Sequence, residues 1–183
     1  MKVKSYLFVI TLFALSLVGC SKSDDEVPAE TTAELLARKW SFNEISVKTD
    51  AKTYVIPPGD DATFFESDDN TVTFNADNTY STVENGKSVK VGTWQLSNKT
   101  LMLTDVDKIT TTMTVNTLTA TSIELATSSV SMTKTNPTEE ELSIAFVAGM
   151  LLGTLDKDNG GTIDFTKEPE AKTLQILLKG KAL

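Results

Sequence analysis

The stretch from Asn70 to Thr104, NTVTFNADNTYSTVENGKSVKVGTWQLSNKTLMLT, decides the fold class. Val72 and Phe74 alternate with threonines until Asn75-Ala76-Asp77-Asn78 breaks the pattern. Tyr80 to Val83 resumes it, and Asn85-Gly86 breaks it again. Val89 and Val91 then lead into Gly92-Thr93-Trp94-Gln95-Leu96, and Leu101 with Leu103 closes the set. A period of two, with turn residues between the runs, is the pattern of short half-buried strands in an antiparallel meander. Trp94 is expected in the core, and Gly92 marks a bulge or a close approach where the strand bends.

The same pattern continues on both sides. Toward the C-terminus, Ile109, Met113 and Val115 share one parity, Ile123 and Leu125 lie on one face, and Val130 and Met132 share a face in a last strand. Toward the N-terminus, Thr31 and Glu34 stand at capping-box spacing ahead of Leu35 and Leu36, which predicts a short helix. Trp40, Phe42, Ile45 and Val47 follow with irregular alternation as a first strand, and Trp40 is expected to plug the end of a barrel. Lys52 to Ile56 reads as the second strand. Pro57-Pro58-Gly59-Asp60-Asp61 is a loop, because a strand interior does not accommodate it. Asp60, Asp61, Glu66, Asp68 and Asp69 read as solvated loop carboxylates, since nothing fixes their spacing for a cation. From Trp40 to Thr133 the pattern yields roughly eight strands with one apolar face, a sheet curled around a single core. The fold class is therefore mainly β. The inward candidates are Phe74, Tyr80, Trp94, Leu103, Met113 and Leu125.

The tail changes character. Thr138 and Glu141 form a second capping-box pair, with acids at the positive end of the helix dipole. Leu142, Phe146 and Met150 lie four apart, with Val147 and Leu151 alongside, and that face is expected to pack on the barrel. A strand through 145–152 is the competing reading, because Gly149 and Gly153 weaken the helix. Asp156 to Lys167 resembles the twelve-residue calcium loop of an EF-hand, which would make Asp156, Asp158, Thr162 and Asp164 ligands. Positions five and twelve of such a loop require oxygen ligands, and Gly160 and Lys167 stand there. The preferred reading is a hairpin, with Ile163 and Phe165 on one strand and Leu174, Ile176 and Leu178 on the strand that returns. No cofactor is expected.

The start of the chain is an address. Lys2 and Lys4 precede an apolar run from Tyr6 to Leu17 that ends in Leu17-Val18-Gly19-Cys20, the layout of a signal peptide rather than a spanning helix. It resembles the bacterial lipoprotein signal, whose final cysteine becomes the lipidated first residue. Residues 1–19 are then the signal and 20–30 the lipidated terminus and flexible tether. Residues 31–135 are the barrel, and 136–183 are a helix and hairpin packed on it. Ser21-Lys22-Ser23-Asp24-Asp25-Glu26 resembles the export signal of Bacteroidota lipoproteins destined for the outer face of the outer membrane. Retention facing the periplasm is the alternative.

Composition removes whole classes of chemistry. The chain has 17 basic and 25 acidic side chains. Losing Lys2 and Lys4 with the signal leaves a net charge of −10, which argues against nucleic acid as a partner. There is no histidine, and Cys20 is the one cysteine, so Ser-His-Asp and Cys-His catalysis and the usual zinc sites are excluded. No phosphate-cradling glycine loop is present.

Together these motifs resemble the small lipocalin-like lipoproteins of Bacteroidota. The helix-to-tryptophan unit is Leu36 to Trp40. The paired strands and their turn are Phe65 to Phe74 and Asp77 to Tyr80. The "GtW.l" strand is Gly92 to Leu96, the "L.l" strand Leu101 to Leu103, and the terminal strands Ile109 to Met132. Asn78 stands where that family often has glycine, and asparagine tolerates the same left-handed turn. The resemblance implies a barrel with one open end, no catalytic residues and a location at the outer membrane. The function expected is non-enzymatic: a lipid-anchored envelope protein binding a small apolar or amphipathic molecule inside the barrel. The alternative is a structural or accessory protein that binds protein or glycan through its outer face or loops.

Overall fold

The computed structural model describes residues 31–57 and 70–183. The strands are β1 (Lys39–Thr49), β2 (Thr53–Ile56), β3 (Thr71–Phe74), β4 (Thr79–Glu84), β5 (Lys87–Ser97), β6 (Thr100–Asp105), β7 (Thr110–Leu118), β8 (Ser122–Thr127), β9 (Val130–Ser131) and β10 (Thr173–Ala182). Helix α1 (Thr32–Leu36) precedes them, and α2 (Glu139–Leu155) lies between β9 and β10. All ten strands belong to one sheet in the order β2-β1-β3-β4-β5-β6-β7-β8-β10-β9. β10 pairs with β1 as well as β8, from Trp40↔Ala182 to Thr49↔Leu174. That pairing closes β1, β3 to β8 and β10 into an eight-stranded antiparallel barrel. β2 and β3 share one edge of β1, opposite Ile45–Lys48 and Lys39–Ser41 respectively.

Local chemistry accounts for the irregularities. The register of β1 against β10 shifts between Phe42 and Glu44, so Asn43 is an extra residue. That bulge restores the inward parity of Ile45, Val47 and Thr49 after Trp40 and Phe42, which explains the broken alternation in the sequence. Gly92 sits where a Cβ would lie 2.0 Å from the Thr104 carbonyl oxygen, so β5 and β6 approach each other there as no other residue permits. Asn78 (φ 64°) and the pair Asn85 (φ 50°) and Gly86 (φ 69°) adopt the left-handed conformation that their turns need.

The two helices occupy opposite ends. Both expected capping boxes form, at Thr31 with Glu34 and at Thr138 with Glu141. At the first end Trp40 is fully buried, and its Nε1 donates to the Leu36 carbonyl at 3.0 Å. Arg38 Nη1 donates to the Ala120 carbonyl at 2.8 Å, tying α1 to the β7–β8 turn. At the other end α2 packs against β1, β2, β9 and β10, and Ile144, Ala148 and Leu155 enter the core.

Several expectations are corrected here. Residues 145–152 are helical. The helix turns Ile144, Ala148 and Leu155 inward, with Val147 and Leu151 half-buried against the core as expected, whereas Leu142, Phe146 and Met150 are 55%, 67% and 54% exposed. The cause is that α2 is apolar on both sides. A row spaced by four residues therefore cannot tell which stripe faces the barrel, and the stripe bearing the small Ala148 is the one that packs. An antiparallel strand pair accompanies the C-terminal helix, but its partners differ from Ile163–Phe165 and Thr173–Leu178. Ile163 bridges Asp156, Phe165 begins a short 3-10 turn (Phe165–Lys167), and β10 pairs with β9 at its start. Both long edges of β10 are taken by β1 and β8. The barrel consequently extends past residue 135, and its last stave comes from the segment read as the tail. Ile109 and Met132 are exposed, because each lies just outside its strand.

Candidate functional site

The six inward candidates lie in one buried cluster. Phe74, Tyr80, Trp94, Leu103, Met113 and Leu125 are between 0% and 6% exposed. Phe74 meets Trp94 edge to face at 6.1 Å, the arrangement that aromatic quadrupoles favour, and its ring centre lies 6.3 Å from that of Tyr80. Trp94 Nε1 donates to the Asn75 carbonyl at 3.0 Å, so its one polar atom is satisfied in the β3–β4 turn. Burial pushes the Tyr80 hydroxyl pKa up, with a smaller push from Asp105. A water-sized hollow inside the barrel would leave accessible area on its lining, and these side chains have almost none. Among the described residues the interior is filled.

More of the lining comes from residues outside those six candidates. Phe42, Val47, Leu174, Ile176 and Leu178 are buried in the same cluster. The Leu174-Ile176-Leu178 alternation was visible, but nothing in it says that β10 returns to β1.

The hollows near the site open outward. One of about 460 Å³ lies between Ile109 ahead of β7 and Glu139, Glu140, Ser143 and Ile144 of α2. One of about 390 Å³ lies outside the β1 bulge, between Asn43, Glu44, Glu124 and Lys179. Lys179 Nζ sits 2.7 Å from Glu44 Oε1 and bridges that hollow's rim. A smaller one of about 120 Å³ reaches the edge of Trp94 between α1 and the β3–β4 turn.

The loop with calcium-ligand spacing is organised without a cation. Asp156 Oδ1 accepts from the Asp158 backbone N–H at 3.1 Å. Asp164 Oδ2 lies 2.8 Å from Lys157 Nζ and 3.0 Å from Lys167 Nζ. Those lysines, with the Thr166 hydroxyl, hold the Asp164 carboxyl down to about 2. Lys167 stands where an EF-hand needs its bidentate glutamate, so an ammonium supplies the positive charge. Among the described residues no group of three His, Cys, Asp or Glu is arranged to hold a metal, and the residues present do not fit calcium.

The remaining perturbed carboxylates serve structure. Asp50 accepts from the Lys172 and Thr173 backbone N–H groups at 2.8 and 3.3 Å, and those bonds lower its pKa. Asp77 is lowered by the Thr79 hydroxyl and N–H. Glu168 is lowered chiefly by Lys52, 2.6 Å away, and it also accepts from Tyr54 Oη. None is raised toward neutrality as a general acid would be. Cys20 and the acidic residues Asp60, Asp61, Glu66, Asp68 and Asp69 lie outside the described residues.

Residues 36–125 match the family model described as a lipocalin-like domain. The class of protein that the fold defines is thus a lipocalin-like antiparallel barrel, a fold compatible with a small apolar ligand. The match spans α1's last residue through most of β8, and it stops short of α2 and β10. No curated protein and no solved structure matches the chain.

Proposed function

We propose that this chain is a lipid-anchored envelope lipoprotein, held by Cys20 at the outer membrane and displayed outward, that works through its external surface as a structural or accessory protein. The observation that carries the reading is the state of the barrel: its interior is filled by side chains 0% to 6% exposed, and a helix lies at each end. A ligand entering it would have to displace Phe74, Trp94 or Met113 from close packing, which costs several kcal/mol for each large side chain. The anchor rests on Lys2, Lys4 and Leu17-Val18-Gly19-Cys20, and surface display on Lys22 with Asp24, Asp25 and Glu26.

A second reading, a small apolar or amphipathic molecule bound within the barrel, is favoured by the likeness to the lipocalin-like family. Fluorescence distinguishes the two, because Trp40 and Trp94 both lie in the core. Titration with a long-chain fatty acid and with a polyene should leave their emission without a saturable one-to-one change. Saturable quenching that a Leu125→Trp variant blocks would transfer the assignment to the cavity reading.

A further inference from the structure

Two asparagines in the chain are followed by glycine, Asn85 before Gly86 and Asn159 before Gly160. Such a pair can react with itself. The backbone nitrogen of the glycine, once it has lost its proton, attacks the asparagine Cγ. The new C–N bond closes a five-membered imide, and the side-chain nitrogen leaves as ammonia. Water then opens the ring at either carbonyl, giving aspartate or the isomer whose backbone runs through the side chain. Glycine favours the step, because it has no Cβ to shield its nitrogen and leaves the backbone wide latitude. Local sequence makes the two pairs equivalent, and the fold does not.

Asn159 is held on both sides of the reaction. Its Nδ2 donates to the Gly153 carbonyl at 3.0 Å, which fixes the amide against the end of α2. The Gly160 N–H, which would have to lose its proton, donates to the Lys157 carbonyl at 3.2 Å, and the Gly161 N–H donates to the Asp156 carbonyl at 2.8 Å. Asn159 also closes a short 3-10 turn (Lys157–Asn159), and a Cβ on Gly161 would lie 2.1 Å from the Leu155 carbonyl carbon. Asn85 stands in a different setting. No hydrogen bond to its side chain occurs among the described residues. A Cβ on Gly86 would meet nothing within 4 Å, and every residue from Glu84 to Lys90 is exposed. With no buried side chain to hold it, the tip of the β4–β5 hairpin opens locally at small cost, and the glycine nitrogen can then reach the asparagine Cγ.

We propose that Asn85 is a site of spontaneous deamidation in the folded protein, and that the fold protects Asn159. The product carries a carboxylate, ionised at neutral pH, next to Glu84. In the isomer one extra backbone carbon enters a two-residue turn whose length sets the Glu84↔Lys87 register, so the hairpin frays from its tip. The reaction needs only water and time, and the modified fraction records the age of the molecule.

Peptide mapping by mass spectrometry follows both sites in the full chain, purified without denaturant and kept in warm, mildly alkaline buffer. In the folded protein, conversion at Asn85 should outpace conversion at Asn159 at least about tenfold, because the hairpin tip opens alone and the turn after α2 opens only with its neighbours. In concentrated urea the two rates should converge. Asn98 is the internal control, since it occupies a similar exposed two-residue turn at φ 54° but precedes Lys99. Asn159 keeping pace with Asn85 in the folded protein would overturn the proposal. So would a gap that persists in urea, or an Asn85 rate no higher than that of Asn98.

Discussion

The Trp94 indole stands edge-on to the Phe74 ring, centroids 6.1 Å apart, while its Nε1 holds the Asn75 carbonyl at 3.0 Å. One side chain thus locks β5 against β3 and fixes the turn that leads from β3 to β4. Trp94→Ala should lower stability by roughly 3–5 kcal/mol through lost burial and a residual void. Trp94→Phe should lose less, because it keeps the ring and forfeits the hydrogen bond. Urea unfolding followed by circular dichroism measures both, and an unchanged midpoint for Trp94→Ala would contradict its place in the core.

Two glycine-to-alanine changes should have opposite signs. At Gly92 the new methyl meets the Thr104 carbonyl and the Asp105 Cα at 2.0 and 2.8 Å, so β5 and β6 must separate. The expected loss is about 1–3 kcal/mol. At Gly149 the methyl meets open space, and the helix should gain up to about 1 kcal/mol. Thermal melts of the dilute protein compare the two directly.

Acid should loosen the Asp156–Lys167 turn in a defined window. Asp164 is held at about 2 by Lys157, Thr166 and Lys167, against an ordinary value of 3.8. A folded-state pKa below the unfolded one means that the contribution is complete above the unfolded value and disappears as pH falls through the folded one. The loss is therefore expected between pH 3.8 and about 2. A carboxyl NMR titration reads the group itself, and Asp164→Asn should remove that part of the acid dependence. The lysines are solvated, so the effect on global stability is small.

Millimolar calcium should leave the melting temperature unchanged, since the Lys167 ammonium already neutralises Asp164. Lys167→Glu places a carboxylate where an EF-hand loop needs its last ligand, and it should convert the loop to one whose melting responds to calcium. Differential scanning fluorimetry with and without chelator checks both chains.

Cys20→Ser should release the protein from the membrane, because acyl chains on that residue are the proposed anchor and each buried methylene contributes about 0.8 kcal/mol. Fractionation of cells producing each form gives the answer, and a serine variant still in the membrane pellet would end the anchor assignment.

The strand pattern was legible because alternation and turn chemistry are local. Val72 and Phe74, the left-handed Asn78, the Asn85-Gly86 turn and the constrained Gly92 each stand where their neighbours in sequence place them. The irregular start of β1 was visible too, and one inserted residue, Asn43, is its cause. What escaped is what depends on distant partners. Leu174, Ile176 and Leu178 declare a strand but not its neighbours, and pairing with β1 is decided by which edge remains unpaired after β8. The inward face of α2 escaped for a different reason. With apolar residues on both sides, Leu142-Phe146-Met150 and Ile144-Ala148-Leu155 are equally good stripes until the barrel selects one. The filled interior was also beyond reach, since periodicity says which residues face inward and not whether they meet.

The register that joins Trp40 to Ala182 has a consequence for biogenesis. A polypeptide made N-terminus first delivers β1 long before it delivers β10. Until then β1 and β8 are unsatisfied edges, the kind of surface that recruits other chains. Closure is the most non-local contact in the molecule, so it should come late and slowly. The segment that matches the lipocalin-like model, residues 36–125, lacks β10 and so does not close the barrel by itself. Synthesis must reach β10 before this barrel exists, and whatever shelters the waiting edges until then becomes part of how the protein is made.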